Sequence, residues 1–292
     1  MAMRRQLVNI LLVSIIPGSF RAGDFFIILV TIKPQNMPAQ TINEVISRLE
    51  EIIATSITTD NRAGYFAALY HKVTCRVKEG IAAGEFQDGP RMERLDVVFA
   101  NRYIAAYDEW TAKNKTGVSL SWQVTFEQLQ KRSVLVLQHL LLGMNAHINL
   151  DLGVAVVEIA KEYNTPLQLI HQDFNSINTI LAALSYEVIN ELNRISPLLS
   201  LLGKHSGNNS LLIQFALSNA RDGAWCFAED LYNSGNTIAS RDQDIHKLGG
   251  SIVTTKGFIK ITVFFIHLFE LKNPSKITNI LRNYQKMYIK VR

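Results

Sequence analysis

Residues 140–157 read LLLGMNAHINLDLGVAVV, an apolar run interrupted by two asparagines, a histidine and an aspartate. From Val134 to Ile159 apolar residues fall on every face of a helix, the pattern of a helix buried in the middle of its domain. An unpaired polar group in such surroundings costs roughly 2–7 kcal/mol. Asn145, His147, Asn149 and Asp151 therefore each need a partner or a purpose. The stretch also decides the fold, because a buried central helix, here about 125–161, demands other helices around it.

The remaining sequence supplies them. Thr41 and Glu44 form a capping box, in which a hydroxyl and a carboxylate satisfy free amides at a helix start. The INEVISRLEEII that follows repeats its apolar residues at helical spacing. Asp60 opens a second helix that Gly84 ends, and DGP at 88–90 opens a third with proline in its first turn. Thr125 with Gln128 marks the start of the central helix. Thr165 and Pro166 begin the next, interrupted near Asp173 and continuing to about Arg194. Ser196 and Pro197 open a short helix closed by Gly203, and Asn209 or Ser210 begins one reaching Tyr232. Ser240 with Gln243 starts another, broken at Gly249 and Gly250, and Asn273–Pro274 starts the last.

Residues 251–269, rich in β-branched and aromatic side chains, admit a strand. They lack a clean alternation with polar residues, so helix fits better. No repeat or Pro/Gly/Ser linker divides the chain. The expectation is one all-α domain, a multi-helix bundle over residues 37–292.

Residues 1–36 stand apart. MAMRRQLVNILLVSIIPGS has the basic start and apolar run of an export signal, but no A-x-A cleavage site follows. Neither this run nor FFIILVTI reaches the ~18–20 residues that span a bilayer, so no stable membrane span is expected. Met37 lies just before TINE, a helix start. The segment reads as an extension outside the fold and the protein as cytoplasmic, with export as the alternative.

Nearly half of the 292 residues are apolar and 19% are charged, an ordinary globular balance. The net charge of +5 comes from the end of the chain. From Lys272 onward there are six basic residues and no acidic one, and setting those aside leaves 24 basic against 25 acidic. That distribution argues against a nucleic-acid surface, which needs a clustered basic patch on the fold. Cys75 and Cys226 form no C-x-x-C and read as two buried thiols. No G-x-S-x-G elbow, phosphate loop or dinucleotide fingerprint is present, which disfavours enzymes with a nucleotide cofactor. The E-x-x-H pairs of ferritin-like sites are absent too.

Chemistry then concentrates on the opening helix. His139, Gly143, His147 and Asp151 step by four and drift about 40° each, so they share one side. Asn145 and Asn149 make a second pair on a nearly opposite side, where hydrogen bonds to neighbouring helices are the plain explanation. His147 and Asp151, about 6 Å apart along the axis, reach one point beside the helix. That suits a divalent metal such as zinc, iron or manganese, or a general base oriented by a carboxylate. It equally suits a mutually satisfied pair that only fixes packing. His139, roughly 12 Å further along, is too distant to join the same ion and fits a connected cavity. A third metal ligand has to come from another helix, with Asp173, His171 and His71 as candidates. Arg102, Tyr103 and Arg221, with His139, Asn145 and Asn149, complete a candidate substrate-binding set. Arg62 with Asp60 and Trp225 are further pocket candidates, and Tyr70 reads as a core aromatic. Arginines among apolar helices usually pair with carboxylates.

GMNAHINLDLG, preceded by FANRYIAAYDEW and RAGYFAALYHKVT, resembles an uncharacterised bacterial family of unknown function, from about Thr41 to past Trp225. The resemblance implies a helical protein with a polar site and supplies no substrate. Helical zinc phosphodiesterases also carry H-x-x-x-D on a helix, but they continue with a histidine where this chain has Ala155. The expectation is an enzyme of hydrolytic or proton-transfer chemistry, metal-assisted if an ion binds. It would act on a small molecule, in an oligomeric state the sequence leaves open. The alternative is a non-catalytic ligand-binding or interaction protein whose polar residues fix packing.

Overall fold

The computed structural model describes residues 37–203, 209–234, 238–255 and 257–283. Contacts divide the chain into two units, Met1–Met37 and Pro38–Arg292. The extension expected over 1–36 lies outside the described residues. The second unit is helical almost throughout, with no strand among the described residues.

Its first helices start where the sequence marks them. In α1 (Ile42–Thr58) the Thr41 hydroxyl accepts from the Glu44 amide at 3.2 Å, and Glu44 closes the motif on the Gln40 amide instead of on Thr41. α2 (Ala63–Ala82) follows, and Gly84 ends it at φ +71°. α3 (Gly89–Thr111) is capped by Asp88, which accepts from the Arg91 amide at 3.0 Å.

The central helix begins later than expected. Leu120–Glu127 is a separate helix, α4, followed by a tight turn at Gln128–Gln130, and α5 (Val136–Ala146) starts only after it. Thr125 does not cap: its hydroxyl donates to the carbonyls of Ser121 and Leu142. The actual cap is remote. Glu270 accepts from the Val136 amide at 3.1 Å, while the Gln138 side chain accepts from the Leu135 amide. A carboxylate at a helix N-terminus satisfies free amides and complements the helix dipole, and this one lies 134 residues away.

After α5 the same helix passes through a π-helical turn, His147–Leu152, and continues as α6 (Gly153–Glu162). Val136–Glu162 is long and apolar enough to cross a membrane, yet 78% of its most apolar window is buried within the protein. It is the core helix of the domain. Gly143 lets α2 approach it, since a Cβ there would sit 2.4 Å from the Phe66 ring.

α7 (Gln168–Ile195) runs through Asp173 without a break. α8 (Ser200–Gly203) and α9 (Asn209–Ser234) follow. α10 (Ile238–Val253) begins before Ser240 and passes straight through Gly249 and Gly250. Gly249 is a packing residue there: a Cβ would lie 2.8 Å from Val124 of α4. The stretch that admitted a strand is α11 (Gly257–Phe269). α12 (Pro274–Leu281) is capped by Asn273, which accepts from the Lys276 amide at 2.7 Å.

Carboxylates recur as long-range caps. Asp242 accepts from the Leu120 and Ser121 amides at the start of α4. Asp60, expected to open α2, instead accepts from the Ser275 amide at the start of α12. α2 and α7 are also clamped by buried Lys72, which pairs with Glu187 at 3.0 Å and with Glu191. Of the two cysteines expected to be buried, Cys75 is half-buried and Cys226 is exposed, turned outward between the buried Trp225 and Phe227.

Candidate functional site

The π-helical turn carries both residues of the sharpest sequence signal. His147 and Asp151 are each 2% exposed, and Nδ1 of the imidazole lies 3.3 Å from Oδ2 of the carboxylate. Asp151 is held from two further sides. Arg102 Nε donates to Oδ1 at 3.1 Å, and the indole Nε1 of Trp122 donates to Oδ2 at 2.8 Å. Arg102 also reaches Glu158 and lines a surface cleft on which Asp151 opens.

His147 faces the other way, among rings. Phe99 stacks on it with centroids 3.6 Å apart and planes 7° from parallel. Tyr70 and Phe66 meet it edge-on at 4.5 and 5.8 Å. Desolvation lowers the His147 pKa, and the Asp151 contact opposes that only in part. The ring is therefore neutral at physiological pH. A neutral imidazole carries one proton, and the tautomer that satisfies Asp151 places it on Nδ1. Nε2 is then a bare acceptor, and no group among the described residues bonds to it.

His147 lines a cavity of about 130 Å³ between α2, α3, α5 and α7. Its wall is overwhelmingly apolar, from residues such as Leu69, Met92, Leu140, Phe174 and Leu184. The volume is close to the ~150 Å³ of engineered cavities that hold benzene. A few polar residues interrupt the wall. Asp96 of α3 is buried with Oδ2 unpaired, and desolvation raises its pKa to about 7. Arg221 of α9 is the other charged side chain there, and Tyr70 contributes a buried phenol whose pKa burial raises.

The other sequence candidates separate from this centre. His139 does not share the cavity. Two steps of about 40° set it roughly 80° around the helix from His147, and Phe66 stands in the walls of both spaces. His139 lines its own small void with Arg62 and Tyr103, its two nitrogens unpaired and its pKa lowered to about 3 by desolvation. Tyr103 is a buried ring 6.1 Å from His147. Asn145 donates to the Ile245 carbonyl of α10 and accepts from Asn149, so this pair ties helices together.

Asp173, offered as a metal ligand, lies apart from His147 and Asp151. It accepts from the Gln87 and Asp88 amides and from Arg91, one more carboxylate spent on a helix start. His171 lies 4.3 Å from Trp225, and His71 pairs with Glu50. No three His, Cys, Asp or Glu gather in a metal-binding group among the described residues. The donors at His147 fit a metal poorly, because both Asp151 oxygens already accept from N–H groups and no third ligand-type side chain gathers with the pair among the described residues.

Sequence reasoning missed Phe99, Trp122 and Asp96. The Asp96 signal was available: an acid within the apolar RLDVVFA resembles the pattern that singled out the central helix. Nothing local announces that Trp122 binds Asp151.

Fold and site together define an all-helical protein with an apolar cavity and a buried His–Asp pair at a π-helical turn. The chain belongs to DUF5995, a family of unknown function, whose model matches residues 42–255. That span includes the central helix, the cavity wall on α2, α3 and α7, and Arg221. No curated protein and no solved structure matches the chain.

Proposed function

We propose that this protein binds a small, largely apolar molecule in the cavity beside the π-helical turn, and that His147 Nε2 accepts a hydrogen bond from it. The observation that carries the reading is the unpaired Nε2 of a neutral, fully buried imidazole in the cavity wall. Leaving a buried acceptor unmade costs about 1–3 kcal/mol, a cost that a ligand donor removes. An apolar pocket with a few convergent polar groups is the usual form of a small-molecule site.

Recognition fits this imidazole better than the hydrolytic or proton-transfer chemistry the sequence suggests. A general base works best with a pKa near the operating pH, and burial lowers that of His147. Asp151 orients the ring, and Arg102 and Trp122 hold Asp151. A metal-assisted step finds no third ligand at this point.

Phenol and toluene test the reading, since they share a shape and only phenol has a hydroxyl to donate. In ligand-observed NMR titrations the full chain should bind phenol several-fold more tightly than toluene, as expected for one hydrogen bond. His147→Leu should erase that preference and leave toluene binding in place. Equal affinities in the unmodified protein, or no binding of either, would overturn the proposal.

A further inference from the structure

We infer that the ligand of this cavity is an apolar hydroxy acid, its hydroxyl serving His147 and its carboxylate held by Arg221, an inference that rests on the ligand-binding reading above. Arg221 is 4% exposed and belongs to the cavity wall. Its Nε donates to Asn178 Oδ1 at 2.7 Å, and one Nη donates to the Phe174 carbonyl. The guanidinium carbon stands 4.2 Å from the centre of the Phe174 ring. These contacts fix the side chain and bring no negative charge to it.

Arg221 differs from Arg62 and Arg241, which also bond only to neutral groups, in being buried in the wall of the cavity. Arg48, Arg76, Arg91, Arg94 and Arg102 each pair with a carboxylate, and all of them are more exposed than Arg221. Among the described residues no carboxylate comes within ion-pair distance of Arg221. A buried charge without a counter-ion is strongly unfavourable. Desolvation lowers the Arg221 pKa to about 9, opposed only by the charge of Asp222 beyond ion-pair distance, so the group stays cationic at neutral pH. The guanidinium has five N–H donors in a planar fork, and two of its nitrogens are committed to the protein.

The missing partner is an anion arriving from the cavity, and its chemistry follows from the wall. One positive charge in an apolar lining matches a monoanion, and guanidinium and carboxylate pair with strong, geometrically specific bonds. A phosphate dianion would bring a second charge to a wall whose other charged side chain is Asp96. The apolar body of the acid would lie against residues such as Phe174, Ile177 and Leu184. The volume limits it to about the size of one ring or a short branched chain.

Benzoate and benzyl alcohol, titrated calorimetrically into the full chain, test this directly. The expected result is at least about tenfold tighter binding of benzoate, in line with a charge-assisted contact. Arg221→Gln should reduce that ratio to near one. Arg221→Lys, which keeps the charge and loses the fork, should retain part of the ratio and serves if the glutamine variant does not fold. Benzoate binding no more tightly than the alcohol, or a ratio untouched by either substitution, would overturn the inference. If phenol still binds with its dependence on His147 in that case, the carboxylate claim alone has failed. If no probe binds, the cavity reading has failed with it.

Discussion

The central helix carries two polar pairs at the same spacing, Asn145 with Asn149 and His147 with Asp151, and they have different fates. The asparagines are closed: Asn149 donates to Asn145, Asn145 donates to the Ile245 carbonyl, and α10 is fastened to α5. The histidine pair is closed on one side only. Asp151 is held by Arg102 and Trp122 and contacts Nδ1, while Nε2 of a ring that belongs to the cavity wall has nothing bonded to it. Spacing alone does not separate packing from a site. What separates them is whether every donor and acceptor is used.

The largest expected effect comes from breaking the better-held member. Asp151→Ala strips a partner from Arg102, Trp122 and His147 together, and removing one side of a buried charged pair costs about 3–5 kcal/mol. Urea unfolding should show a loss of that order, and a change below about 1 kcal/mol would mean the network is dispensable. Asn145→Leu should cost about 1–3 kcal/mol, because the Ile245 carbonyl and the Asn149 amide lose their partner. That variant should keep the phenol preference, which separates the two pairs by function.

His139 sharpens the contrast through pH. Burial lowers its pKa from 6.5 to about 3. Between those values the unfolded chain binds a proton that the folded chain refuses, so stability falls as pH drops, by up to about 1.4 kcal/mol per unit. Asp96 works with the opposite sign: its pKa is raised to about 7, so its contribution is complete below 3.8 and is lost as pH rises toward 7. His139→Leu should therefore remove an acid-side loss of about 1–2 kcal/mol between pH 6.5 and 5. The smallest effect belongs to His147→Leu. The substitution removes an acceptor with no partner and one contact of Asp151, which Arg102 and Trp122 still hold, so stability should stay within about 1 kcal/mol of the unmodified protein, and a loss of several kcal/mol would assign the residue to packing.

Much of the fold was legible because helix signals are local. The Thr41, Asp88 and Asn273 caps lie within three residues of the amides they serve, and the apolar surround of residues 134–159 marks the core helix directly. The start of that helix was illegible for the converse reason: its cap is Glu270, and Thr125, which looks like a cap, bonds elsewhere. Asp173 and Asp60 misled in the same way, since each serves a helix distant in sequence. At the site, His147, Asp151, Arg102 and Arg221 could be read as polar residues out of place. That Arg102 would meet Asp151 while Arg221 would meet no acid depends on how α3 and α9 are packed, which no local pattern encodes.

Ring-nitrogen NMR of ¹⁵N-histidine-labelled protein tests the central claim most directly, with the His147 signals assigned by their loss in His147→Leu. The imidazole should be neutral with its proton on Nδ1, and should stay so through the region near pH 6.5 where a free imidazole titrates. Its Nε2 signal should be that of an unprotonated acceptor, and should shift when phenol is added. A proton found on Nε2, or an imidazole that titrates at the ordinary pH, would contradict the account.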